Sequence, residues 1–173
     1  MIKIIDGNLF DSKANFIVHQ TNCLGIMGAG VAFQVAEKFP HVEKEYLKYL
    51  RHCKKNNIEA LGTAQYVPVD DWALVMVDTM SNSRVTAYDT EYQYIVNLFG
   101  QASIGSGMQT NLRAMEKAFK DIRDKAKSIG ATVAMPYMIG SCRGGAKWED
   151  VYSIIEKVFK NNVYVEIWRY NER

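Results

Sequence analysis

Apolar and polar positions repeat along this chain with two periods, near two and near 3.6, and the switches between them outline the elements. Residues 2–5 read as a short strand punctuated by Asp6-Gly7-Asn8, and residues 16–19 as a second. Residues 29–39 carry a helical pattern that Pro40 stops. A further helix over 41–55 draws its apolar contacts from Val42, Tyr46, Leu47, Tyr49 and Leu50. Beyond Gly62 come three β-like runs, 63–69, 72–77 and 91–99, with 78–90 as an excursion between strands and 100–107 as a glycine-bearing loop. Asn111 has the character of an N-cap, and the ridge Leu112, Met115, Phe119 and Ile122 that follows has helical spacing. Gly130 closes that helix, and 131–136 reads as a buried strand. A loop over 137–146 follows, then a helix opened by Trp148 with Val151, Ile154, Ile155, Val158 and Phe159 on one face. A last strand spans 163–170.

Helices interleaved with strands predict an α/β fold, a three-layer α/β/α domain with a mixed central sheet. At 173 residues the chain fits one domain spanning 1–173, without repeats or linkers. The net charge of +2 comes from Lys and Arg scattered through helices that also carry Glu and Asp. No basic stripe with interleaved aromatics appears, so the expectation is no nucleic-acid partner. No apolar run has the length of a membrane span and Met1–Gly7 opens as a strand, so a cytoplasmic protein with no membrane contact is expected. Cys23, Cys53 and Cys142 form no CxxC pair, and His19, His41 and His52 lack ligand spacing, so neither a metal nor another cofactor is expected.

The candidate chemistry lies where two strands empty into glycine loops. After Phe16-Ile17-Val18, the run His19-Gln20-Thr21-Asn22 leads into a loop with Gly25, Gly28 and Gly30, then into a helix. Glycines at such a turn let backbone N–H groups approach a ligand, and the helix start carries partial positive charge, which is the build of a phosphate or diphosphate site. A second glycine loop, Tyr137 to Ala146, also lies between a strand and a helix. Both would stand at the carboxyl edge of a parallel sheet, where open α/β proteins hold ligands.

Familiar motifs do not account for these loops. G-x-x-G-x-G is neither the dinucleotide fingerprint nor a P-loop. Gly140 and Gly145 have Walker A separation, but the lysine falls one place late, at Lys147, and Trp148 replaces the Ser or Thr. A thiolate phosphatase built on Cys142 needs an arginine where Trp148 stands, and Ile104 and Met108 break a serine-hydrolase elbow around Ser106. His19 is the titratable group of interest, either turned toward the loops as a proton-transfer group or buried against backbone. Asn22 offers a donor and an acceptor beside the first loop.

Taken together, His19-Gln20-Thr21-Asn22-Cys23, Met27-Gly28-Ala29-Gly30-Val31-Ala32, Pro136, Ile139-Gly140 and Trp148-Glu149 resemble a macrodomain over nearly the whole chain. The similarity is to the branch that holds ADP-ribose 1''-phosphate phosphatases and terminal ADP-ribose–protein glycohydrolases. It implies a cleft for ADP-ribose or a derivative, with ADP-ribosylated proteins as further partners. The family's adenine-contacting acidic residue falls on Asn8, with Leu9 beside it. Asn22 would meet the distal ribose, and Gly28, Ala29, Gly30 and Val31 would line one side of the diphosphate. Ile139, Gly140, Ser141, Cys142 and Arg143 would close over the other side. The glycohydrolase branch has a lysine where this chain has Asn97-Leu98-Phe99-Gly100-Gln101, and an aspartate at Gly144. The segment 70–90 is also longer than that branch has. The resemblance therefore implies hydrolysis of ADP-ribose 1''-phosphate with His19 and Asn22 as catalytic residues. A non-catalytic ADP-ribose reader and a hydrolase of protein-linked ADP-ribose are the alternatives.

Overall fold

The computed structural model describes residues 1–70 and 92–170. The run expected at 72–77 and the excursion at 78–90 lie outside the described residues. The strands are β1 (Ile2–Asp6), β2 (Phe16–Asn22), β3 (Ala64–Pro68), β4 (Tyr94–Gln101), β5 (Val133–Pro136) and β6 (Val165–Arg169). The helices are α1 (Gly30–Lys38), α2 (Pro40–Lys55), α3 (Leu112–Ile129) and α4 (Trp148–Phe159), with a short 3-10 turn at Leu9–Asp11. Pro40 does more than stop α1. It is the first residue of α2, where its missing N–H costs nothing and its fixed φ suits the helix.

The six strands form one mixed sheet in the order β1-β6-β5-β2-β4-β3. Every neighbouring pair is parallel except β3 against β4. Helices cover both faces. On one, Phe16, Val18, Val96 and Leu98 pack under Met115, Phe119 and Ile122 of α3 and Val151, Ile155 and Phe159 of α4. On the other, Ile17 and Ile95 meet Val35 of α1 and Val42 of α2, while Phe99 stacks on Tyr46. This is the expected α/β/α arrangement, and period-two alternation in β2 and β4 assigns each side chain to its layer. Asn111 caps α3 by accepting from the Ala114 N–H at 3.0 Å, and Gly130 ends it in the left-handed region at φ 71°. Phe119 is fully buried, so truncating it to Ala costs about 3–5 kcal/mol. Among the described residues no helix is long and apolar enough to cross a membrane.

Candidate functional site: a cleft between two glycine loops

A cleft of about 610 Å³ opens at the carboxyl ends of β5, β2 and β4. One wall is the loop leading into α1, with Gly28, Ala29, Gly30 and Val31; the other is the loop after β5, with Ile139, Gly140, Cys142, Arg143 and Gly144. Gln20, Asn22 and Gln101 lie among the floor residues, and Ile26 and Ile104 stand at the rim. Arg143 is the one charged residue among the described residues that line it.

The two helix starts near the cleft differ in charge. Ala29, the N-cap of α1, offers no side-chain hydrogen bond, and the first turn carries no acidic residue. Its leading N–H groups therefore stay available, and the partial positive charge of the helix end is uncompensated. The first turn of α4 already carries Glu149 and Asp150, which satisfy that end's preference for negative charge. An anion is drawn to the α1 side.

The first loop is held from below. Asn22 Oδ1 accepts from the Leu24 N–H at 2.9 Å and the Ile26 N–H at 3.3 Å, and the one hydroxyl hydrogen of Tyr46 is shared between Oδ1, at 3.0 Å, and the Asn22 main-chain carbonyl, at 2.9 Å. One amide hydrogen of Asn22 goes to the Ile26 carbonyl at 2.7 Å. Its side-chain carbonyl is saturated, and only the second amide hydrogen remains for a ligand. Tyr46 also accepts from the Gly25 N–H at 3.1 Å, and burial pushes its hydroxyl up to about 12, so it stays protonated. Gly25, at φ 82°, packs so closely on Leu47 that a β-carbon would stand 2.9 Å from Leu47 Cδ2.

The second loop is held by the segment before α3. Gln109 and Thr110 donate their N–H groups to the Gly144 carbonyl at 2.8 and 2.9 Å. The Thr110 hydroxyl donates to the Gly140 carbonyl at 2.7 Å. A family model for the Macro domain matches residues 18–155. This chain is a macrodomain.

The macrodomain is 27% identical over 177 residues to an ADP-ribose 1''-phosphate phosphatase of Lodderomyces elongisporus, covering 95% of this chain and 98% of that protein. It is 22% identical over 175 residues to a DNA ADP-ribosyl glycohydrolase of Thermus aquaticus, covering 98% of this chain but 41% of the relative. The solved structure of Thermosipho africanus DarTG in complex with ADP-ribose superposes with a TM-score of 0.69 at 21% identity, over 97% of this chain and 41% of that one.

Within this macrodomain the cleft gathers Asn22, Gly28, Ala29, Gly30, Val31, Ile139, Gly140, Cys142 and Arg143 of the residues expected to form the site. Asn8, Leu9 and Ser141 do not line it. Asn8 Oδ1 caps the 3-10 turn by accepting from the Phe10 N–H at 3.0 Å, Leu9 is buried, and Ser141 Oγ is buried with no partner among the described residues.

Of the two placements the sequence leaves open for His19, the structure has the buried one, with the Asn97 side chain rather than backbone as its partner. The histidine ring does not turn toward the loops. The strand runs on to Asn22, and alternation aims His19 at the α1–α2 layer, where it is fully buried. Its Nε2 sits 2.7 Å from Asn97 Oδ1, Asn97 donates to Gln65 Oε1 at 3.0 Å, and Gln65 donates to the Glu45 carbonyl at 2.8 Å. Burial lowers its pKa to about 4, with the Asn97 hydrogen bond opposing, so the ring is neutral near pH 7. Sequence reasoning missed Gln20, Gln101 and Tyr137 on the cleft wall and floor. The partners of Gln20 are 81 and 90 residues away in sequence, so no local spacing announces them.

Proposed function

We propose that this macrodomain binds ADP-ribose and hydrolyses ADP-ribose 1''-phosphate to ADP-ribose and phosphate. The observation that carries this reading is the pair of loops facing across the cleft, with the uncapped start of α1 on one side and Arg143 on the other. A diphosphate laid between them meets backbone N–H groups from one loop and a guanidinium from the other. The likeness to a phosphatase that spans nearly the full length of both chains supports the choice of substrate.

The residues present define what each can do. Arg143 and the N–H groups of the first loop hold negative charge, and the spare Asn22 amide hydrogen orients the distal ribose. No carboxylate, imidazole or lysine lines the cleft among the described residues. The attacking water therefore bonds to phosphorus and passes its proton to an oxygen of the substrate's own phosphate, which hands it to the distal-ribose oxygen as the phosphorus–oxygen bond to that oxygen breaks, leaving ADP-ribose and phosphate. His19 does not touch the substrate: it lies buried on the α1–α2 side of the sheet, joined to Asn97.

The same lack of a cleft base favours a second reading, a reader that binds ADP-ribose without turnover. Purified protein incubated with ADP-ribose 1''-phosphate separates the two. Phosphate release above the uncatalysed rate, lost in Asn22→Ala, supports the hydrolase. Tight ADP-ribose binding in calorimetry with no phosphate release supports the reader, and absence of binding rejects both.

A further inference from the structure

Resting on that reading of the cleft, we propose that Gln20 is a positioning residue that seats the second loop at the height at which it meets the diphosphate. Its amide group is enclosed by three glycines from two different segments. A β-carbon at Gly100 would stand 2.5 Å from Gln20 Oε1, and one at Gly140 would stand 2.8 Å from the same atom. A β-carbon at Gly144 would lie 3.0 Å from Gln20 Nε2, and it would also overlap Thr110 Oγ1 and the Gly140 carbonyl. At Gly144 an added β-carbon would collide with backbone; at Gly100 it would displace the Gln20 amide, and at Gly140 it would displace that amide and Met115 Cε, 2.6 Å away, so Gln20 fills the space only because all three positions lack a side chain.

The hydrogen bonds fix which way the amide faces. Thr110 spends its hydroxyl hydrogen on the Gly140 carbonyl, so it can only accept from Gln20 Nε2, at 2.8 Å. The second amide hydrogen goes to Gln101 Oε1 at 2.6 Å, and Gln101 donates in turn to the Ser103 carbonyl at 2.8 Å. The Gln20 carbonyl is left buried with no partner among the described residues. A buried acceptor without a donor is unfavourable, and it persists only where the rest of the group's contacts hold it in place. The backbone is shaped to the same end. The β2–β4 register shifts between Thr21 and Asn22, so that Thr21 faces Phe99, Asn22 faces Gln101 and Gly100 is passed over. That irregularity sits beside the Gln20 amide, at the edge of the cleft.

The second loop thus rests on Gln20 through Thr110 and through direct packing at Gly140 and Gly144. A glutamine that merely filled core volume would be replaced by methionine of similar length without consequence for the ligand. Gln20→Met keeps the stem and removes both donated bonds.

The test compares wild type, Gln20→Met and Gln20→Asn by calorimetry with ADP-ribose and with AMP, and by hydrogen exchange without ligand of the Thr110 amide and of the Ala146 amide, which donates to the Gly140 carbonyl at 3.2 Å. The expected result for Gln20→Met is at least tenfold weaker ADP-ribose binding at unchanged stoichiometry. AMP, which lacks the second phosphate and distal ribose, should change less than threefold, and exchange should accelerate at Thr110 and Ala146. Gln20→Asn, which keeps the amide on a shorter stem, should fall as far. Unchanged affinity and exchange in Gln20→Met would overturn the proposal. So would a loss shared equally by both ligands with faster exchange across the whole sheet, because that marks a purely structural residue. If wild type binds no ADP-ribose, the reading of the cleft fails, and the exchange rates alone decide the role of Gln20.

Discussion

Arg143 reaches over Gly30, its Cδ only 3.9 Å from where a β-carbon on that glycine would stand. The cation on one loop therefore lies beside the helix start on the other, and in the proposed reading a diphosphate in the cleft would meet both. Arg143→Ala should weaken ADP-ribose binding by roughly tenfold, about 1.5 kcal/mol, the scale of one hydrogen bond to a charged group. The remaining affinity should depend less on salt. Gly30→Glu adds bulk and negative charge at a residue with φ 60°, and should abolish binding. Calorimetry at two ionic strengths checks both.

Tyr46→Phe removes the hydroxyl that joins α2 to Asn22 and Gly25. The Gly25 N–H loses its acceptor, so the folded state should lose about 1–2 kcal/mol in denaturant titration. ADP-ribose affinity should fall as well, because Asn22 then has one fewer restraint at the base of the first loop.

The buried His19 makes stability pH-dependent with a defined sign. Its folded value is about 4 against an ordinary 6.5. Between those values the unfolded chain takes up a proton that the folded chain refuses. Stability should therefore fall as pH drops from about 6.5 to about 4 and level off below, with this group accounting for roughly 3 kcal/mol at about 1.4 kcal/mol per unit. His19→Gln should flatten that slope in melting experiments between pH 4 and 7. Wild-type turnover should show no inflection from His19 near pH 6.5, since the ring is already neutral there.

Asn8 has a local role that separates stability from binding. Replacing it by Ala removes the cap on the 3-10 turn and should cost about 1 kcal/mol in thermal or denaturant unfolding. Asn8→Asp caps equally well and should leave stability close to wild type. Any loss of ADP-ribose affinity in Asn8→Ala that Asn8→Asp restores would come from the adenine contact the family resemblance implies.

Much of the fold was legible because period and punctuation agree with it. Pro40, Asn111 and Gly130 mark helix boundaries through backbone chemistry that needs no tertiary context. The two glycine loops were placed at one sheet edge because each follows a buried strand and precedes a helix. Local pattern left His19 open between the loops and the interior, for a reason that only the strand's full length settles. With the strand ended at His19, the residue sits at its tip, next to the loops. With the strand carried to Asn22, His19 is one of the residues facing α1 and α2. Gln20 was invisible for a different reason, since its significance depends on Gly100, Gly140 and Gly144, which only the folded sheet brings around it.

The sheet order carries a consequence for how the molecule is made. β6 slots between β1 and β5, with Val165 opposite both Ile2 and Val133. Among these six strands, the earliest in the chain thus pairs only with the latest. At roughly 5–20 residues per second, Ile2 waits on the order of 10 s or more before Val165 is even synthesised. Strands β2, β4 and β5, from which both cleft loops spring, can pair among themselves during that interval. Both cleft loops thus spring from strands that can pair without β1, whereas β1 has no partner in the sheet until β6 is made and joins it to β5.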